Sequence, residues 1–249
     1  MREFAPTFHT SGPIPATLRE RGFVVLASDW TIQASRVDRA ALDDFATSWN
    51  DLSPDPYLKD GGHYRRRRHS SFVVDGALCR PVPHRPHFQS SNYNALHGGM
   101  ERWFEPMRDE LVRHPAFQRL AVSLGELCSE VSGARPWFVE AHQFRIDTHE
   151  GIGRPTPEGA HRDGVDFVAV FFVGRARIKG GETRVFQAAT PSGLRFTLTE
   201  PWSLLFLDDA RVVHESTPIQ PAEDASDAPA RGHRDTLVLT FRRDGFQRP

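Results

Sequence analysis

Cysteine is scarce in this chain. Its 249 residues include only two, Cys79 and Cys128, too few for a disulfide framework or a zinc site built from cysteine. A chain of this length can bury a sizeable core without such support. We therefore expect a fold held together by apolar packing in a reducing compartment.

Long apolar runs are also missing. The longest unbroken run is Phe167–Val173, far short of the roughly 18 residues that span a bilayer. The first ten residues contain an acid, Glu3, and no apolar stretch of the kind that a secretory signal carries. These two absences predict a cytoplasmic protein with no membrane partner.

Neither sign of charge is in excess, since 31 Lys and Arg face 32 Asp and Glu. This balance argues against a protein that coats nucleic acid, which needs a basic surface. The cations are almost all arginine, because only Lys59 and Lys179 are lysines. A carboxylate ligand of this protein would therefore meet the planar donor fork of arginine.

The first part of the chain, residues 1–135, predicts a helix-rich support. Helical spacing occurs over 15–22 and 38–49, and a long pattern from about Gly99 to Ser132 predicts a helix that Pro115 breaks. The stripe of Trp103, Phe104 and Met107 is expected in the core.

From residue 136 onward the pattern changes to short apolar or alternating runs separated by turn signals. They predict strands at 137–147, 167–173, 182–187, 194–198, 203–207, 212–215 and 236–242. The chain should therefore be mostly β, of α+β type: a jelly-roll-like pair of sheets under an N-terminal helical layer. We expect one domain over 1–249 with its metal-binding core in 136–249, and a mobile surface loop at 221–231.

Three residues could bind a metal ion together. His161 and Asp163 stand two apart just before a strand, where alternation points them the same way. His214 follows the predicted strand 203–207. Two histidines and one carboxylate form the facial triad of non-haem Fe(II) oxygenases, which leaves positions open for a co-substrate and dioxygen.

The last strand offers a cation for a co-substrate carboxylate. A buried carboxylate needs a fixed partner. Arg234 and Thr236 share one face at the start of this strand, and Arg242 lies on the same face at its far end. Arg234 is our first choice and Arg242 the alternative.

The order of HxD, a distal histidine and Arg-x-Thr resembles the Fe(II)/2-oxoglutarate-dependent dioxygenase superfamily. The wider sequence is similar to the bacterial branch that contains L-isoleucine dioxygenase and the BsmA-like proteins named for biofilm, stress and motility phenotypes. The segments that carry this similarity are 139–146, 158–167, 180–183, 214–219 and 234–239.

The resemblance implies a cupin-like double-stranded β-helix that uses Fe(II), 2-oxoglutarate and dioxygen to hydroxylate a free aliphatic L-amino acid. It also implies that His161, Asp163 and His214 are the metal ligands and catalytic centre, and that Arg234 with Thr236 binds 2-oxoglutarate. One departure is the spacing: the arginine follows the distal histidine by 20 residues, about twice the usual distance, and the loop at 221–231 would absorb the excess.

Four further residues are candidates for substrate contact: Gln143, Arg145, Thr183 and Arg65. Gln143 and Arg145 share a face of one predicted strand. The run Arg65–Arg68 is interpreted as a solvated or carboxylate-contacting loop, because aromatic residues are not interleaved with it.

Three functions fit these observations. The first is the small-molecule hydroxylase. The second is a non-catalytic metal-binding jelly roll with a sensing or structural role, which would not need the pair Arg234 and Thr236. The third is an oxygenase acting on a macromolecule, which would need an open basic groove that the charge balance disfavours. The sequence does not indicate how many copies of the chain associate.

Overall fold

The computed structural model describes residues 4–94, 96–133, 136–190, 192–222 and 232–249. Its helices are α1 (Ile14–Arg21), α2 (Ser28–Ser35), α3 (Arg39–Ala46), α4 (Asp109–Val112) and α5 (Pro115–Ser132), with a 3-10 turn at Thr47–Asp51. Its strands are β1 (Phe23–Leu26), β2 (Arg65–Asp75), β3 (Leu78–Pro81), β4 (Trp137–Asp147), β5 (Phe167–Ala176), β6 (Ile178–Gly180), β7 (Thr183–Gln187), β8 (Gly193–Phe196), β9 (Leu204–Asp208), β10 (Val212–Ser216), β11 (Ile219–Pro221) and β12 (His233–Arg242).

The strands form one large antiparallel sheet, in the order β1-β9-β5-β12-β4-β2-β3, and a smaller sheet, β10-β7-β8. A third pair joins β11 to β6. Apolar side chains of β5 and β9 pack against Val185 of β7 and Val212 of β10, so the small sheet covers part of one face of the large one. The predicted class is confirmed: a mostly β double-stranded β-helix with N-terminal helices.

The helices cover the other face of the large sheet. Leu42, Phe45, Phe117 and Leu120 belong to one buried cluster with side chains of β2, β4, β5, β9 and β12. Alternation along β12 separates the two faces: Leu237, Leu239 and Phe241 belong to this cluster, whereas the residues between them face the small sheet.

The long helix expected from Gly99 is shorter than the sequence suggested. The chain is not helical over 99–108, and α5 begins at Pro115, where proline fits the first helical turn and the ring nitrogen of His114 accepts the Ala116 amide. Within the apolar stripe, Phe104 and Met107 are buried, but Trp103 is 52% exposed and does not lie in the core.

Two loop predictions have different outcomes. The arginine run Arg65–Arg68 is not a loop, because it opens β2 and three of its four residues are buried. It does contact carboxylates, since Arg65 pairs with Asp55 and Arg68 with Glu105. The loop predicted at 221–231 falls almost entirely on residues 223–231, which lie outside the described part of the chain. Within the described residues, every helix is too short or too polar to cross a bilayer.

Candidate active site

A cavity opens between the large sheet and the small sheet. Strand alternation supplies its walls, because every second residue of β2, β4 and β12 points into it. Its lining includes polar residues from strands and loops, and apolar residues mainly from β5, β9 and β12. The polar ones include Arg65, Arg67, His87, Gln89, Asn94, Arg102, Glu140, His142, Glu158, His161, Asp163, Thr183, His214, Arg234 and Thr236, and the apolar ones include Val165, Val170, Leu205 and Val238.

The structure brings together the three residues that the sequence predicted to be metal ligands. One donor atom of each of His161, Asp163 and His214 lies within 4.8 Å of the others. The Nε2 atom of His161 is 3.7 Å from one Asp163 oxygen, and that of His214 is 3.8 Å from the other. A backbone bridge between His161 and His214, with N–O distances of 3.1 and 3.0 Å, holds the two imidazoles side by side.

The protonation of His161 is set by its surroundings. Its Nδ1 donates to the Gly159 carbonyl at 2.9 Å, so in the neutral ring the lone pair is on Nε2. Burial lowers the pKa of His161, but the charges of Asp163 and Glu158 and the Gly159 carbonyl outweigh it and raise the pKa overall. Burial, with the neighbouring His161, lowers the pKa of His214 to about 4, so this imidazole is neutral at neutral pH.

Asp163 is positioned by three side chains from distant parts of the sequence. Gln89 donates to its carboxylate at 3.1 Å, and Gln247 donates to its carbonyl at 2.8 Å. Asp209, just after β9, accepts the amides of residues 163, 164 and 165 at 3.0, 2.8 and 3.1 Å. The sequence did not indicate this supporting role of Asp209.

These donors fit a divalent ion of the Fe(II) type. Two imidazole nitrogens and one carboxylate converge on one point, and Asp163 adds the negative charge that a cation needs. The hydrogen bonds to His161 and Asp163 are of the kind that orients metal ligands in proteins.

A second cluster of metal-binding residue types lies on β2, β4 and the loop after β3. His69, His87, Glu140 and His142 are all buried, with donor atoms within 4.8 Å of one another. Glu140 already accepts hydrogen bonds from Arg85 and His87, both at 3.2 Å, and lies 3.3 Å from His69 Nε2.

Arginines make the second cluster a poor cation site. Arg67 donates to His142 Nδ1 at 2.6 Å, so that nitrogen is not available to a metal. The charges of Arg67 and Arg102 add to burial in lowering the pKa of His142. Since its carboxylate is taken up and its surroundings are positive, this cluster fits a closed hydrogen-bonded network better than a metal.

Arg234 and Thr236 both line the cavity, as alternation from the start of β12 predicted. Arg234 is buried, at 5% exposure, and burial followed by the charge of Arg175 lowers its pKa to about 10. No side chain in the described ranges forms a hydrogen bond to its guanidinium. Arg242 does not line the cavity and donates instead to the Gly245 carbonyl at 3.1 Å.

The four candidate substrate residues separate into two pairs. Thr183 and Arg65 line the cavity, the hydroxyl of Thr183 being buried without a described hydrogen-bond partner and Arg65 being paired with Asp55 at 2.7 Å. The expectation that Gln143 and Arg145 line it is wrong. Gln143 donates to Ser48, and Arg145 forms an ion pair of 2.7 Å with Asp235 on the other face of the sheet.

The error on β4 has a simple cause. Alternation shows that Gln143 and Arg145 share a face but cannot show which face lies over the cavity. The neighbouring set, which includes Glu140 and His142, faces it instead. Sequence reasoning also missed Arg102 and Glu158, which lie in loops where no periodicity marks them.

Comparison with known proteins agrees with this site. A family model described as 2OG-Fe dioxygenase matches residues 46–240. The crystal structure of a bsmA homolog from Methylobium petroleophilum PM1 is 51% identical, over 98% of this chain and 99% of that chain, with a TM-score of 0.88. A search of curated proteins found no match.

Two more distant structures show the shared fold alone. IDO from Bacillus thuringiensis is 19% identical, with a TM-score of 0.74 over 92% of this chain and 97% of that chain. TqaL, an Fe(II)/α-ketoglutarate-dependent dioxygenase, is 21% identical, with a TM-score of 0.70 over 92% and 86%. On the family match and the 51% identical relative, the chain belongs to the 2OG-Fe dioxygenase family, in its BsmA-like branch, which works with Fe(II), 2-oxoglutarate and dioxygen.

Proposed function

We propose that this protein hydroxylates an unactivated C–H bond of a free aliphatic L-amino acid. Residues 1–249 would act as one dioxygenase domain. The observation that carries the proposal is that three features line one cavity: a convergent His-Asp-His set, apolar side chains, and Arg234, whose guanidinium has no hydrogen-bond partner among the described residues.

In this proposal His161, Asp163 and His214 hold the iron through three protein donors. Bound iron would supply the activation of dioxygen, coupled to the conversion of 2-oxoglutarate to succinate and carbon dioxide. The chain itself supplies placement: Gly159 fixes the ring of His161, and Asp209 fixes the loop that carries Asp163.

Arg234 would bind the distal carboxylate of 2-oxoglutarate. A guanidinium presents two parallel donors to a carboxylate, and its burial excludes the water that would compete for it. Thr236 lies two residues further along the same face of β12, and the unpartnered hydroxyl of Thr183 faces the same cavity. These two hydroxyls can add hydrogen bonds to the co-substrate.

The cavity supports a small aliphatic substrate. Val165, Val170, Leu205 and Val238 line it and would contact an alkyl side chain. The resemblance to the L-isoleucine dioxygenase branch supports an amino acid in particular. A macromolecular substrate is disfavoured because the net charge of the chain is -1.

The test is a succinate assay on the intact protein. Protein loaded anaerobically with Fe(II) and 2-oxoglutarate is exposed to oxygen with each of the twenty amino acids in turn. We expect one or a few aliphatic amino acids to stimulate succinate release and to gain one oxygen atom by mass spectrometry. Iron-dependent succinate release that no amino acid stimulates would contradict the substrate, and no succinate at all would favour the non-catalytic alternative.

A further inference from the structure

Arg102 is a buried cation with unused donors. It lies in the loop between β3 and α4, lines the cavity and is 3% exposed. Its Nε and Nη2 atoms are buried without a hydrogen-bond partner among the described residues. Backbone hydrogen bonds of 2.9 Å in both directions with His87 fix its position on the wall.

Glu158 is an acid with an unused acceptor in the same cavity. Its Oε2 atom is buried and has no hydrogen-bond partner in the described part of the chain. Its Oε1 atom lies 3.6 Å from His161 Nε2 and 3.5 Å from Asn94 Nδ2. Glu158 therefore lies beside the metal site, three residues before its first histidine.

The neighbouring charges that could satisfy Arg102 are engaged elsewhere. Asp55 is paired with Arg65 at 2.7 Å, and Glu140 accepts from Arg85 and His87. Burial and the charge of Arg65 lower the pKa of Arg102 to about 10, whereas Asp55 and Glu158 act in the opposite direction. Arg102 is thus charged at neutral pH, and it lines the cavity with two donors that have no partner among the described residues.

A buried charged group without partners is costly, and the cost is recovered when a complementary ligand arrives. Here an arginine and a glutamate, each with buried polar atoms that lack a partner among the described residues, line one cavity next to the proposed iron site. The ligand that satisfies both at once carries a carboxylate and an ammonium on neighbouring atoms. We propose that Arg102 binds the α-carboxylate, and Glu158 the α-ammonium, of a zwitterionic amino-acid substrate.

This inference rests on the proposed function and deepens it. It explains how the enzyme would select a free amino acid: an alkyl chain alone satisfies neither group, and a carboxylic acid or an amine satisfies only one. Arg102 is on a different element from Arg234, so the substrate and 2-oxoglutarate would be bound by separate arginines.

The test compares three ligands that share one side chain. L-Leucine, 4-methylpentanoate, which lacks the amino group, and 3-methylbutylamine, which lacks the carboxylate, are titrated calorimetrically into the anaerobic Fe(II)–2-oxoglutarate protein. The corresponding sets for L-isoleucine and L-valine are included, and the set whose amino acid binds most tightly is used for the variants. Variants are Arg102→Gln, Arg102→Lys and Glu158→Gln, with Arg113→Gln and Glu150→Gln as exposed controls.

We expect Arg102→Gln to weaken the binding of the amino acid and of its deaminated analogue at least about tenfold, since one hydrogen bond to a charged group is worth roughly that factor. The affinity for the amine should not change. Arg102→Lys should recover part of the loss. Glu158→Gln should lower the affinity for the amino acid and for the amine, but not the affinity for the carboxylate analogue. The controls should bind all three like the wild type.

Three results would overturn the inference. The variants could bind all three ligands more weakly by the same factor, they could bind all three as tightly as the wild type, or the Arg102 variants could lose affinity for 2-oxoglutarate instead. Wild-type protein that binds none of the twenty amino acids would overturn it as well. Iron-dependent succinate release without added substrate is measured in parallel, because its persistence would leave the oxygenase itself standing in each of these cases.

Discussion

Two clusters of histidines and a carboxylate lie on the same cavity, and they are used in opposite ways. In the open cluster, His161, Asp163 and His214, the imidazole Nε2 atoms lie 3.7 Å or more from the carboxylate and face inward. In the closed cluster, His69, His87, Glu140 and His142, Glu140 accepts several hydrogen bonds and Arg67 donates to His142.

The difference shows that residue type alone does not make a metal site. Both clusters have the donors, but in the open one the carboxylate accepts from a single side chain, Gln89, and no arginine lies at hydrogen-bond distance from a histidine among the described residues. The closed cluster instead holds its imidazoles neutral, because burial lowers the pKa of His69, His87 and His142.

The largest expected effect is the loss of an open-cluster donor. Asp163→Ala or His161→Ala should abolish Fe(II) binding and succinate formation while the fold is retained, because both side chains lie at a cavity rather than in the core. Metal binding is measured by anaerobic equilibrium dialysis and the fold by circular dichroism. His69→Gln in the closed cluster is the control and should still bind iron; the reverse pattern would exchange the roles of the two clusters.

Arg234→Ala should cost about 3–5 kcal/mol of 2-oxoglutarate binding, because it leaves a buried carboxylate unpaired. Arg234→Lys keeps the charge without the fork and should raise the KM for 2-oxoglutarate by less. Arg242→Ala is the control from the same strand. If only the Arg242 variant loses affinity in an anaerobic titration, the assignment on β12 is wrong.

Glu140→Ala should destabilise the fold by about 3 kcal/mol, since it removes the acceptor shared by Arg85, His69 and His87. The same change at Asp163 should have a much smaller effect on stability. Urea unfolding of the two variants sharpens the comparison: the closed cluster contributes stability and the open one contributes binding. Equal losses in the two would contradict this division.

Asp209→Asn should weaken Fe(II) affinity about 10- to 100-fold, because it alters the acceptor of three amides that orient the Asp163 loop. The dissociation constant is measured by competition with a chelator of known affinity. Asp208→Asn, at the neighbouring position, is the matched control and should change it little.

The smallest effect concerns pH. Burial, and then the charges around it, set the pKa of His87 to about 4 in the fold, against about 6.5 unfolded. Below pH 6.5 the unfolded chain therefore binds a proton that the fold does not, so stability falls as pH falls. From pH 7.5 to 5.5 the loss should be about 1.4 kcal/mol for this imidazole.

His87→Gln tests this by urea unfolding at the two pH values. The groups around His87 are Arg67, Arg85, Arg102, Glu140, His69 and His142. Glu140, whose pKa is lowered, loses its own contribution only below its unfolded pKa, near 4.5. The variant should therefore lose about 1.4 kcal/mol of the pH dependence; an unchanged slope would show that His87 is protonated in the fold.

The sequence predicted most of what depends on local spacing. His161 and Asp163 are two residues apart, and Arg234 and Thr236 are two residues apart, so strand geometry alone places each pair on one side. It could not predict what depends on the meeting of separate elements. The closed cluster draws residues from β2, β4 and a loop. Glu140 and His142 are two apart on β4, but no spacing signals that positions 69 and 87 meet them.

Other misses have local physical causes. The apolar spacing around Trp103 is typical of a helix, but the chain forms no helix there and the tryptophan side chain is exposed. On β4, alternation defines two sets of residues. Gln143 and Arg145 were expected to line the cavity, but the other set lines it. Only the packing of the helices on one face decided which set met the cavity.

The position of β12 has a consequence for how the protein folds. This strand is made after all the others, yet it lies between β4 and β5 and pairs with both along nearly its whole length. The two halves of the large sheet therefore stay separate until residue 242 has left the ribosome. Until then β4 and β5 each have an unpaired edge, and the contacts that close the sheet are long-range ones, which form slowly.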